Sequence, residues 1–572
     1  MSSGAQSIAD FTTEFKLTSG DIPPPLVGAT TTVSGSRLYL FGGRLVSSRQ
    51  LTNHLYILNL DNLIWTRHIA EPNSPTAPQP RYFHSADAYE KYLIIFGGMG
   101  HMNKMDALDD LFLFDLERMI WKYVERRPSL YSPRARYAHV SVLSGDLMVV
   151  MGGQDMSNQY INEINILCLK TFAWIAGSSS LKEDYGTYRS VAVFLKEADA
   201  NLWGNHAETV CVYSNYNFAD VTRDFQSFSP LSPSSGFKDH SKDMSGESLP
   251  PGLRFPSAHL LGQHLILAGI YLTPTVHTFQ IWALNLVNLT WIKIDIGPTL
   301  AHGSWNKSVL YEKKQQYMVF GNKNRNLLED YTHRQTNYDH ITIVDLEAFG
   351  IYKFPLETSS PVAQELGLSM LNEPSMADIE IVTEDNHTIP INSSIIQSRW
   401  PQLTATLFKK NYTDSGFKRL LFPESYQVTL AFLQFIYTDH LLTSQQHQPQ
   451  MLSRLLLLSE LYHIPRLGEL ATHALHQCLT ISTSSMIYEI SALTGRISLQ
   501  IRALRVMINA KKTIQKQQQL LNSSTLTSPK SPTILSSTSR ISTEGDQTQF
   551  PLDTQHMITS KSSPDSLYTN KA

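Results

Sequence analysis

The sequence predicts a multidomain protein: an all-β domain of six repeated four-stranded units closed as a propeller, an α/β domain, a short helical extension and a disordered tail. Three observations carry this prediction. An apolar run ending in a glycine pair recurs about every 55 residues. A mixed helix and strand pattern replaces the repeat after residue 360, and Ser and Thr dominate the last part of the chain.

The glycine pairs define the repeat most clearly in its first three units. They end apolar segments at residues 38–43, 93–98 and 147–153, and each is followed by a second strand-like segment and a tryptophan, namely Trp65, Trp121 and Trp174. Glycine permits positive φ and close backbone approach where a strand leaves a crowded ring centre. Tryptophan provides a large apolar body that can pack between neighbouring sheets.

Three further units match through spacing more than through motif, so the propeller is predicted to occupy residues 24–356. Unit four has Ser214 and Asn215 in place of the glycine pair. Two segments compete for the last strand of the ring: residues 11–17 from the N-terminal segment 1–23, and residues 351–354. The stretch 222–252 is rich in Ser, Pro, Asp and Lys, and this composition predicts a disordered polar loop.

These repeats resemble the kelch family. The resemblance rests on the glycine pair after strand two, a small-polar-to-tyrosine segment on strand three, and a tryptophan several residues later. It implies a six-bladed kelch β-propeller. His84 and His139 occupy the same slot of two units, which favours a structural role for both. Arg81, Arg136 and Arg254 enter successive units and are expected either to pair within the ring or to face a ligand.

The α/β pattern of residues 361–480 predicts a second domain. Its expected elements are a helix over 364–371, strands over 377–382 and 388–391, helices over 393–397 and 402–408, a strand over 420–422, and helices over 428–437, 451–464 and 465–479. The order resembles the BTB (POZ) domain, as do the sequences Phe-Pro-Glu-Ser at 422–425 and Phe-Ile-Tyr-Thr at 435–438. The family's Ala-His and Tyr-Thr-Gly are replaced at 391–392 and 437–439.

The BTB resemblance implies two binding properties. Homodimerisation is expected through the first helix, at Leu366, Leu368, Met370 and Leu371. Binding to cullin-3 is expected through the family's hydrophobic–x–Glu motif and a tyrosine. The matching positions are Tyr412, Asp414 and Tyr437, where Tyr412 and Asp414 are similar to the motif residues but not identical. The alternative is that Tyr437 packs the domain and that residues 412–414 form a surface loop.

The end of the chain is predicted to contain helices and then a tail. Residues 481–516 have apolar residues at helical spacing and resemble a short form of the BACK helices that follow BTB domains. The shortness of this region weakens the expectation of cullin-3 binding, because BACK helices normally reinforce that contact. Residues 517–572 are rich in Ser and Thr, a composition that cannot build a core.

Composition and motifs argue against an enzyme. The formal net charge is −3, so no global field favours nucleic acid or an anionic membrane. The three cysteines lie far apart, which excludes a disulfide framework. We expect neither a signal peptide nor a membrane span, and we therefore expect a cytoplasmic location. We expect no metal, no cofactor and no catalytic residue. An oxidase-like copper propeller is the weakest alternative, since it needs a Tyr–Cys crosslink.

Variable loops on one end of the propeller are the expected binding surface, because scaffold-mounted loops commonly carry recognition. Their charged side chains suit carboxylate or phosphate groups, and the candidates are Arg44, His101, Lys104, Arg325 and Arg334.

The order of the domains, propeller before BTB, resembles the leucine-zipper-like transcriptional regulator family and related fungal kelch proteins of Ras signalling. This resemblance implies an adaptor that captures a partner, which in that family is a Ras-type GTPase, and recruits cullin-3 for ubiquitination. The alternative is a dimeric scaffold for Ras signalling or cell polarity that is not part of a ligase.

Overall fold

Six four-stranded blades form a ring in the first part of the chain. The structure, a computed structural model, describes residues 8–69, 77–101, 105–125, 129–178, 185–196, 208–216, 220–232, 236–400 and 418–524. In each blade the strands pair antiparallel in chain order from the inside of the ring outward, and two-residue strands add parallel pairs at the outer edges of blades one and five.

The blades have the following strands. Blade one contains Thr30–Ser34, Arg37–Phe41, Leu55–Asn59, Ile64–His68 and the short Ser19–Gly20, and blade two contains Arg81–Tyr82, Ser85–Tyr89, Tyr92–His101, Met105–Asp115 and Ile120–Tyr123. Blade three contains Val140–Ser144, Leu147–Met151, Ile164–Cys168 and Ala173–Ser178, and blade four contains Ser190–Leu195, Thr209–Tyr216, Thr222–Phe228 and Lys238–Asp239. Blade five contains Arg254–Leu261, His264–Leu272, His277–Asn285, Thr290–Lys293 and Ser245–Gly246, and blade six contains Ser304–Tyr311, Gln316–Asn322, His340–Val344 and Thr13–Leu17. A separate pair joins Leu26–Val27 to Arg44–Leu45.

The ring is closed by the N-terminal strand Thr13–Leu17, which pairs antiparallel with His340–Val344. Of the two segments that competed for this position, the N-terminal one is therefore correct. The predicted strand over 351–354 is wrong, since residues 351–358 have no regular secondary structure. Closure by the opposite end of the chain joins the first and last blades through backbone hydrogen bonds and leaves no open edge between them.

The prediction of a disordered loop over 222–252 is also wrong. Thr222–Phe228 is the third strand of blade four and pairs with Thr209–Tyr216 over seven residues. Phe225 and Phe228 are buried on this strand, and their apolar contacts hold it in the sheet despite the polar residues between them. Lys238–Asp239 completes the blade, and Ser245–Gly246 already belongs to blade five.

In blades one, two, three and five a tryptophan of the outer strand packs against the preceding blade, as predicted. Trp121 of blade two packs against Phe41 of blade one with ring centroids 4.9 Å apart. Trp65 of blade one reaches Phe320 of blade six at 6.4 Å, so the same contact closes the ring. The core of the propeller is thus a series of apolar clusters between neighbouring blades.

The glycine pairs allow neighbouring blades to approach closely. Gly97 and Gly98 have φ of 63° and 96°, and a Cβ added to Gly98 would lie 2.7 Å from Cβ of His84. Gly98 N donates to Arg136 O at 2.9 Å, across the boundary between blades two and three. The predicted role of the pair, positive φ with close backbone approach, is confirmed here.

The second domain has a three-stranded sheet and five helices around it in the described residues. The strands are Ile379–Thr383, Thr388–Ile391 and Lys418–Phe422, with the first in the centre. We number the α-helices of the chain α1 Leu327–Thr332, in the propeller, then α2 Pro361–Leu371, α3 Ser393–Arg399, α4 Tyr426–Thr438, α5 Pro449–Leu461, α6 Pro465–Gln477, α7 Ser484–Leu493 and α8 Ile497–Ser524. Short 3₁₀ helices occur at Ile8–Phe11, Ser241–Asp243, Gly297–Leu300, Glu312–Lys314, Glu347–Phe349 and Pro374–Met376.

The helical extension belongs to the same core as the second domain. Ile487 and Ile490 of α7, and Leu499 and Ala503 of α8, are buried in the apolar cluster that α4, α5 and α6 form. Contacts divide the chain into Met1–Lys512, which contains both domains, and Thr513–Ala572. Helix α8 continues to Ser524, so the prediction that the disordered tail begins at residue 517 is wrong. The predicted helix over 402–408 and the tail beyond residue 524 lie outside the described residues.

Candidate functional site

A ring of backbone hydrogen bonds joins the blade entries around the central channel of the propeller. Phe83 N donates to Gly28 O at 2.8 Å, and Ala138 N donates to Phe83 O at 2.8 Å. Thr187 N continues the series to Ala138 O at 3.0 Å. Gly28, Phe83 and Ala138 all have positive φ, between 52° and 65°. We call the opening of the channel the mouth. These bonds fix the residues at the mouth relative to one another.

Five aromatic side chains form a continuous series at the mouth, which we call the aromatic arc: Tyr82, Phe83, Tyr188, Phe255 and Tyr331. Successive ring centroids lie 4.8, 5.7, 5.5 and 6.0 Å apart. All five side chains are half-buried, so their outer edges face the solvent. Aromatic residues held in this way provide large contact area with little loss of conformational freedom on binding.

Three arginines stack on the arc. The guanidinium of Arg334 lies 5.2 Å from the ring centre of Tyr188, that of Arg44 lies 5.8 Å from Tyr82, and that of Arg254 lies 5.6 Å from Tyr331. No described carboxylate pairs with Arg44 or Arg334. Stacking orients the planar guanidinium and leaves its N–H groups available to a partner's carboxylate. Two of the predicted binding residues, Arg44 and Arg334, are therefore together at the mouth.

The other predicted loop residues have different surroundings. Arg325 is bonded to the buried carboxylate of Asp330 through Nη2 at 2.6 Å and Nε at 2.8 Å. Asp330 also accepts a bond from Asn337 at 2.7 Å, so Arg325 helps to shape the loop that carries Tyr331 and Arg334. His101 ends a strand of blade two, and its side chain is not described; Lys104 lies outside the described residues.

Arg81 and Arg136 pair within the ring, which resolves the alternative stated for them. Arg81 donates to both oxygens of Asp110, at 2.6 and 2.8 Å, and to Gly97 O at 3.1 Å. Arg136 donates to Glu163 at 2.7 Å and is fully buried, so desolvation lowers its pKa to about 10. These two arginines stabilise the blades and are not available to a ligand.

The channel below the arc contains several titratable groups. His84 is buried and bonded to Thr30 Oγ1 at 2.8 Å, which supports the structural role predicted for it. Desolvation lowers the pKa of His139 to about 3 and raises the pKa of Asp87 to about 6. No group of three His, Cys, Asp or Glu side chains that could hold a metal ion occurs among the described residues. Cys211 is buried in the core of blade four.

Helix α2 presents part of the predicted dimer surface. Leu366 is 60% exposed, whereas Leu368 and Met370 are half-buried. Leu371 is buried in the core of the second domain. An exposed leucine on a helix of this position is a candidate contact for a second copy of the chain, and Leu371 is a core residue instead.

Tyr437 has a packing role in the structure. Its side chain is 7% exposed and its hydroxyl oxygen accepts the backbone N–H of Asn392 at 2.8 Å. Desolvation raises the pKa of this hydroxyl. The burial favours the structural alternative for Tyr437 over direct contact with cullin-3. Tyr412 and Asp414 lie outside the described residues.

We expect Gly367→Ala to destabilise the second domain by about 2–3 kcal/mol. Gly367 lies on the buried side of α2, and an added Cβ would overlap the Tyr437 carbonyl oxygen of α4. The helix must then move away from α4, and thermal unfolding measures the loss. Leu366→Glu, on the exposed side of the same helix, is the control: we expect it to leave thermal stability close to that of the wild type, because its side chain is mostly exposed. Equal melting temperatures for Gly367→Ala and the wild type would contradict this packing.

A domain junction joins blade six to helices α6 and α8. Arg502 of α8 donates to Nδ1 of His476 at 2.7 Å, and Nε2 of His476 lies 3.1 Å from Glu347 Oε1. Because arginine can only donate, Nδ1 accepts and Nε2 carries the proton that is donated to Glu347. Tyr352 stacks on His476 at 4.5 Å, and its hydroxyl lies 2.9 Å from His473 Nδ1.

Further contacts extend the junction. Ser498 donates to Asp345 at 2.8 Å, and the guanidinium of Arg505 lies 4.0 Å from the ring centre of Phe349. Desolvation lowers the pKa of His476 and of Arg502. The propeller and the second domain are therefore connected by a polar network as well as by the chain between them, and sequence patterns alone gave no signal for it.

Comparisons with known proteins agree with both resemblances. Residues 9–199 match the family described as the KLHDC2/KLHL20/DRC7 Kelch-repeats domain, and residues 368–479 match the BTB/POZ domain. The predictions of a kelch propeller and of a BTB domain are thus confirmed. Neither description is that of an enzyme. No described helix is long and apolar enough to cross a membrane.

Individual relatives differ in how much of the chain they cover. The Leucine-zipper-like transcriptional regulator 1 homolog of Drosophila melanogaster is 28% identical over 23% of this chain and 14% of its own length. Kelch domain-containing protein 1 of Homo sapiens is 26% identical over 33% of this chain and 50% of its own length. Protein ral2 of Schizosaccharomyces pombe is 30% identical over 86% of this chain and 94% of its own length. The chain therefore belongs to the family of kelch and BTB proteins that includes protein ral2.

Proposed function

We propose that this protein is an adaptor that captures a partner protein at the mouth of the propeller and recruits cullin-3 through its BTB domain, so that the partner is ubiquitinated. The observation that carries the proposal is the aromatic arc with Arg44 and Arg334 stacked on it. Tyrosine, phenylalanine and arginine are the residues enriched at the centres of protein interfaces. The proposal places the protein in the cytoplasm.

A Ras-type GTPase is the partner we propose for the mouth. The support is the similarity to protein ral2 and to the leucine-zipper-like regulator homologue, together with the charge of the mouth. Arg44 and Arg334 pair with no carboxylate in the described part of the chain, which favours a partner surface with acidic side chains, because charge-assisted bonds to carboxylates are the strongest that arginines make.

Dimerisation through α2 would give each adaptor two mouths. A partner that presents two copies of its binding surface would then gain avidity without any new contact. The domain junction fixes each propeller to its BTB domain, so the separation of the two mouths follows from the dimer geometry. The exposed Leu366 is the residue that supports this part of the proposal.

The second candidate is a dimeric scaffold in Ras signalling or cell polarity that does not bind cullin-3. The burial of Tyr437 favours it, because a side chain that is 7% exposed offers little surface to cullin-3. The two functions share the propeller and the dimer and differ only at the cullin contact, so one experiment separates them.

Charge reversals on the two surfaces should separate capture from recruitment. In pull-downs with the full chain, we expect Arg44→Glu combined with Arg334→Glu to weaken binding of a purified Ras-type GTPase at least tenfold and to leave cullin-3 binding unchanged. Asp414→Lys should weaken binding of cullin-3 and leave binding of the GTPase unchanged. The arginine variant loses charge-assisted bonds that typically contribute ~1.5–3 kcal/mol each to binding. The GTPase is tested in both of its nucleotide states.

Arg37→Glu is the control, since it reverses the charge of an exposed arginine in blade one away from the arc. Absence of cullin-3 binding by the wild type would reject the ligase adaptor and leave the scaffold. Binding of cullin-3 without any binding of the GTPase would reject the GTPase as the partner. Equal weakening by Arg37→Glu would show that the mouth is not the binding surface.

A further inference from the structure

The channel below the aromatic arc contains a cavity of about 350 Å³. Residues of the innermost strands of all six blades line it, so its walls are fixed by the ring. Its volume falls within the range of small-molecule sites, roughly 300–1,000 Å³. The cavity is thus large enough for a small ligand, in addition to any protein bound at the mouth.

Lys307 is the main charged group of this cavity. It lies on Ser304–Tyr311, the inner strand of blade six, at a point where the pairing register shifts between Trp305 and Lys307. Such a bulge turns a side chain away from the regular alternation. Lys307 has no ion pair with a carboxylate anywhere in the described parts of the chain. An unpaired ammonium surrounded by protein is unfavourable, and desolvation lowers the pKa of Lys307.

The other lining groups suit an anion more than a cation. Arg334 lies at the mouth and lines the same cavity, and His259 is close enough to Lys307 for its charge to lower the pKa of the imidazole. The hydroxyls of Ser257 and Ser308 are bonded to each other at 2.5 Å, which leaves one of their two protons to donate to a ligand. Asp87 is the one carboxyl group among the lining residues, and it is bonded to Ser141 at 2.6 Å, two blades from Lys307.

We propose that this cavity binds a small oxyanion, a molecule with carboxylate or phosphate oxygens, between Lys307 and Arg334. The ligand supplies the negative charge that the lysine lacks, and a hydrogen bond between two charged groups is stronger than one between neutral groups. The site overlaps the protein-binding surface at Arg334, whereas Lys307 lies on the inner strand of blade six and is not part of that surface. Variants of Lys307 therefore test oxyanion binding separately from the adaptor function.

The test uses the full chain with inorganic phosphate and malonate as separate probes, at constant ionic strength set with chloride. We expect a probe that binds in the cavity to raise the melting temperature and to give saturable binding in calorimetry. Lys307→Met should weaken that binding at least tenfold, whereas Lys307→Arg should retain it. Lys293→Met, which removes an exposed lysine from the outer strand of blade five, is the matched control and should bind like the wild type.

The two probes distinguish the sources of the anionic oxygens, since phosphate and dicarboxylate need not bind equally. Without ligand, Lys307→Met should melt at a higher temperature than the wild type, because an unpaired charge has been removed. If Lys307→Met does not fold, Arg334→Gln at the mouth provides the same comparison and should weaken binding. The proposal is overturned if neither probe stabilises the wild type more than chloride does, or if Lys307→Met and the wild type bind equally.

Discussion

Acidification from pH 7 to pH 5 is expected to lower the free energy of unfolding by on the order of 4 kcal/mol. Four histidines carry the effect: desolvation lowers the pKa of His139 and of His259 to about 3, that of His264 to about 4, and that of His84 well below its usual value. A loss of this size is a large part of the stability of a typical domain.

The sign follows from the difference between the folded and unfolded states. Each of these imidazoles stays neutral in the folded protein, whereas in the unfolded chain it takes up a proton below pH 6.5. The unfolded state therefore binds more protons, and each histidine removes up to about 1.4 kcal/mol per pH unit below that value. Asp87 and Asp345 act in the opposite direction, because burial raises the folded pKa of both carboxyl groups, that of Asp87 to about 6. Four histidines outweigh two aspartates, and water in the channel reduces each contribution.

Chemical denaturation at a series of pH values measures this prediction. His139→Gln should reduce the slope of unfolding free energy against pH between pH 6.5 and pH 5, because one titrating group is removed. His302→Gln, at an exposed position, should leave the slope unchanged. Carboxylates with lowered pKa, such as Asp115, titrate below pH 4 and do not contribute in this window. A free energy of unfolding that is constant or higher at pH 5 would contradict the prediction.

The fold of the propeller could be predicted from residues whose roles are local. The glycine pairs need positive φ, and tryptophans such as Trp121 pack against the preceding blade, so both recur with the blade itself. Blade four was harder because Thr222–Phe228 is mostly polar, and only Phe225 and Phe228 hold it in the sheet. Composition averaged over residues 222–252 hid those two apolar contacts.

The choice between the two closing segments depended on contacts with a different domain. Tyr352 and Phe354 alternate as a strand would, but their rings pack on His476 and His473 of helix α6. The apolar side chains of residues 351–354 thus serve the domain junction rather than a sheet. No pattern within one domain can reveal a requirement imposed by the other.

The candidate site was predicted only in part. Arg44 and Arg334 were identified from their position in variable loops, but the aromatic arc was not, although Tyr82, Phe83 and Tyr188 stand at the blade entries in the sequence. An aromatic residue at the start of successive units was the available signal. Whether such a residue faces a neighbouring blade or the channel depends on backbone geometry, here the positive φ of Phe83.

Arg502→Ala is expected to uncouple the propeller from the BTB domain, so that thermal unfolding shows two transitions where the wild type shows one. Arg502 donates to both Nδ1 and the carbonyl oxygen of His476, at 2.7 and 3.2 Å. Its removal leaves Nδ1 of the buried His476 as an unsatisfied acceptor. Loss of such a buried charged donor typically costs about 3 kcal/mol.

Calorimetry and limited proteolysis together test this coupling. Residues 351–360, which lead into α2, have no regular secondary structure. Cleavage within them should become at least tenfold faster in Arg502→Ala. Arg419→Ala is the control, because it removes an arginine that pairs with the carboxylate of Glu380 at an exposed position away from the junction. A single transition with an unchanged cleavage rate would show that the junction does not couple the domains. For the proposed ligase adaptor, separation of the domains removes the fixed distance between the captured partner and cullin-3, so Arg502→Ala should slow ubiquitination while leaving both binding affinities unchanged.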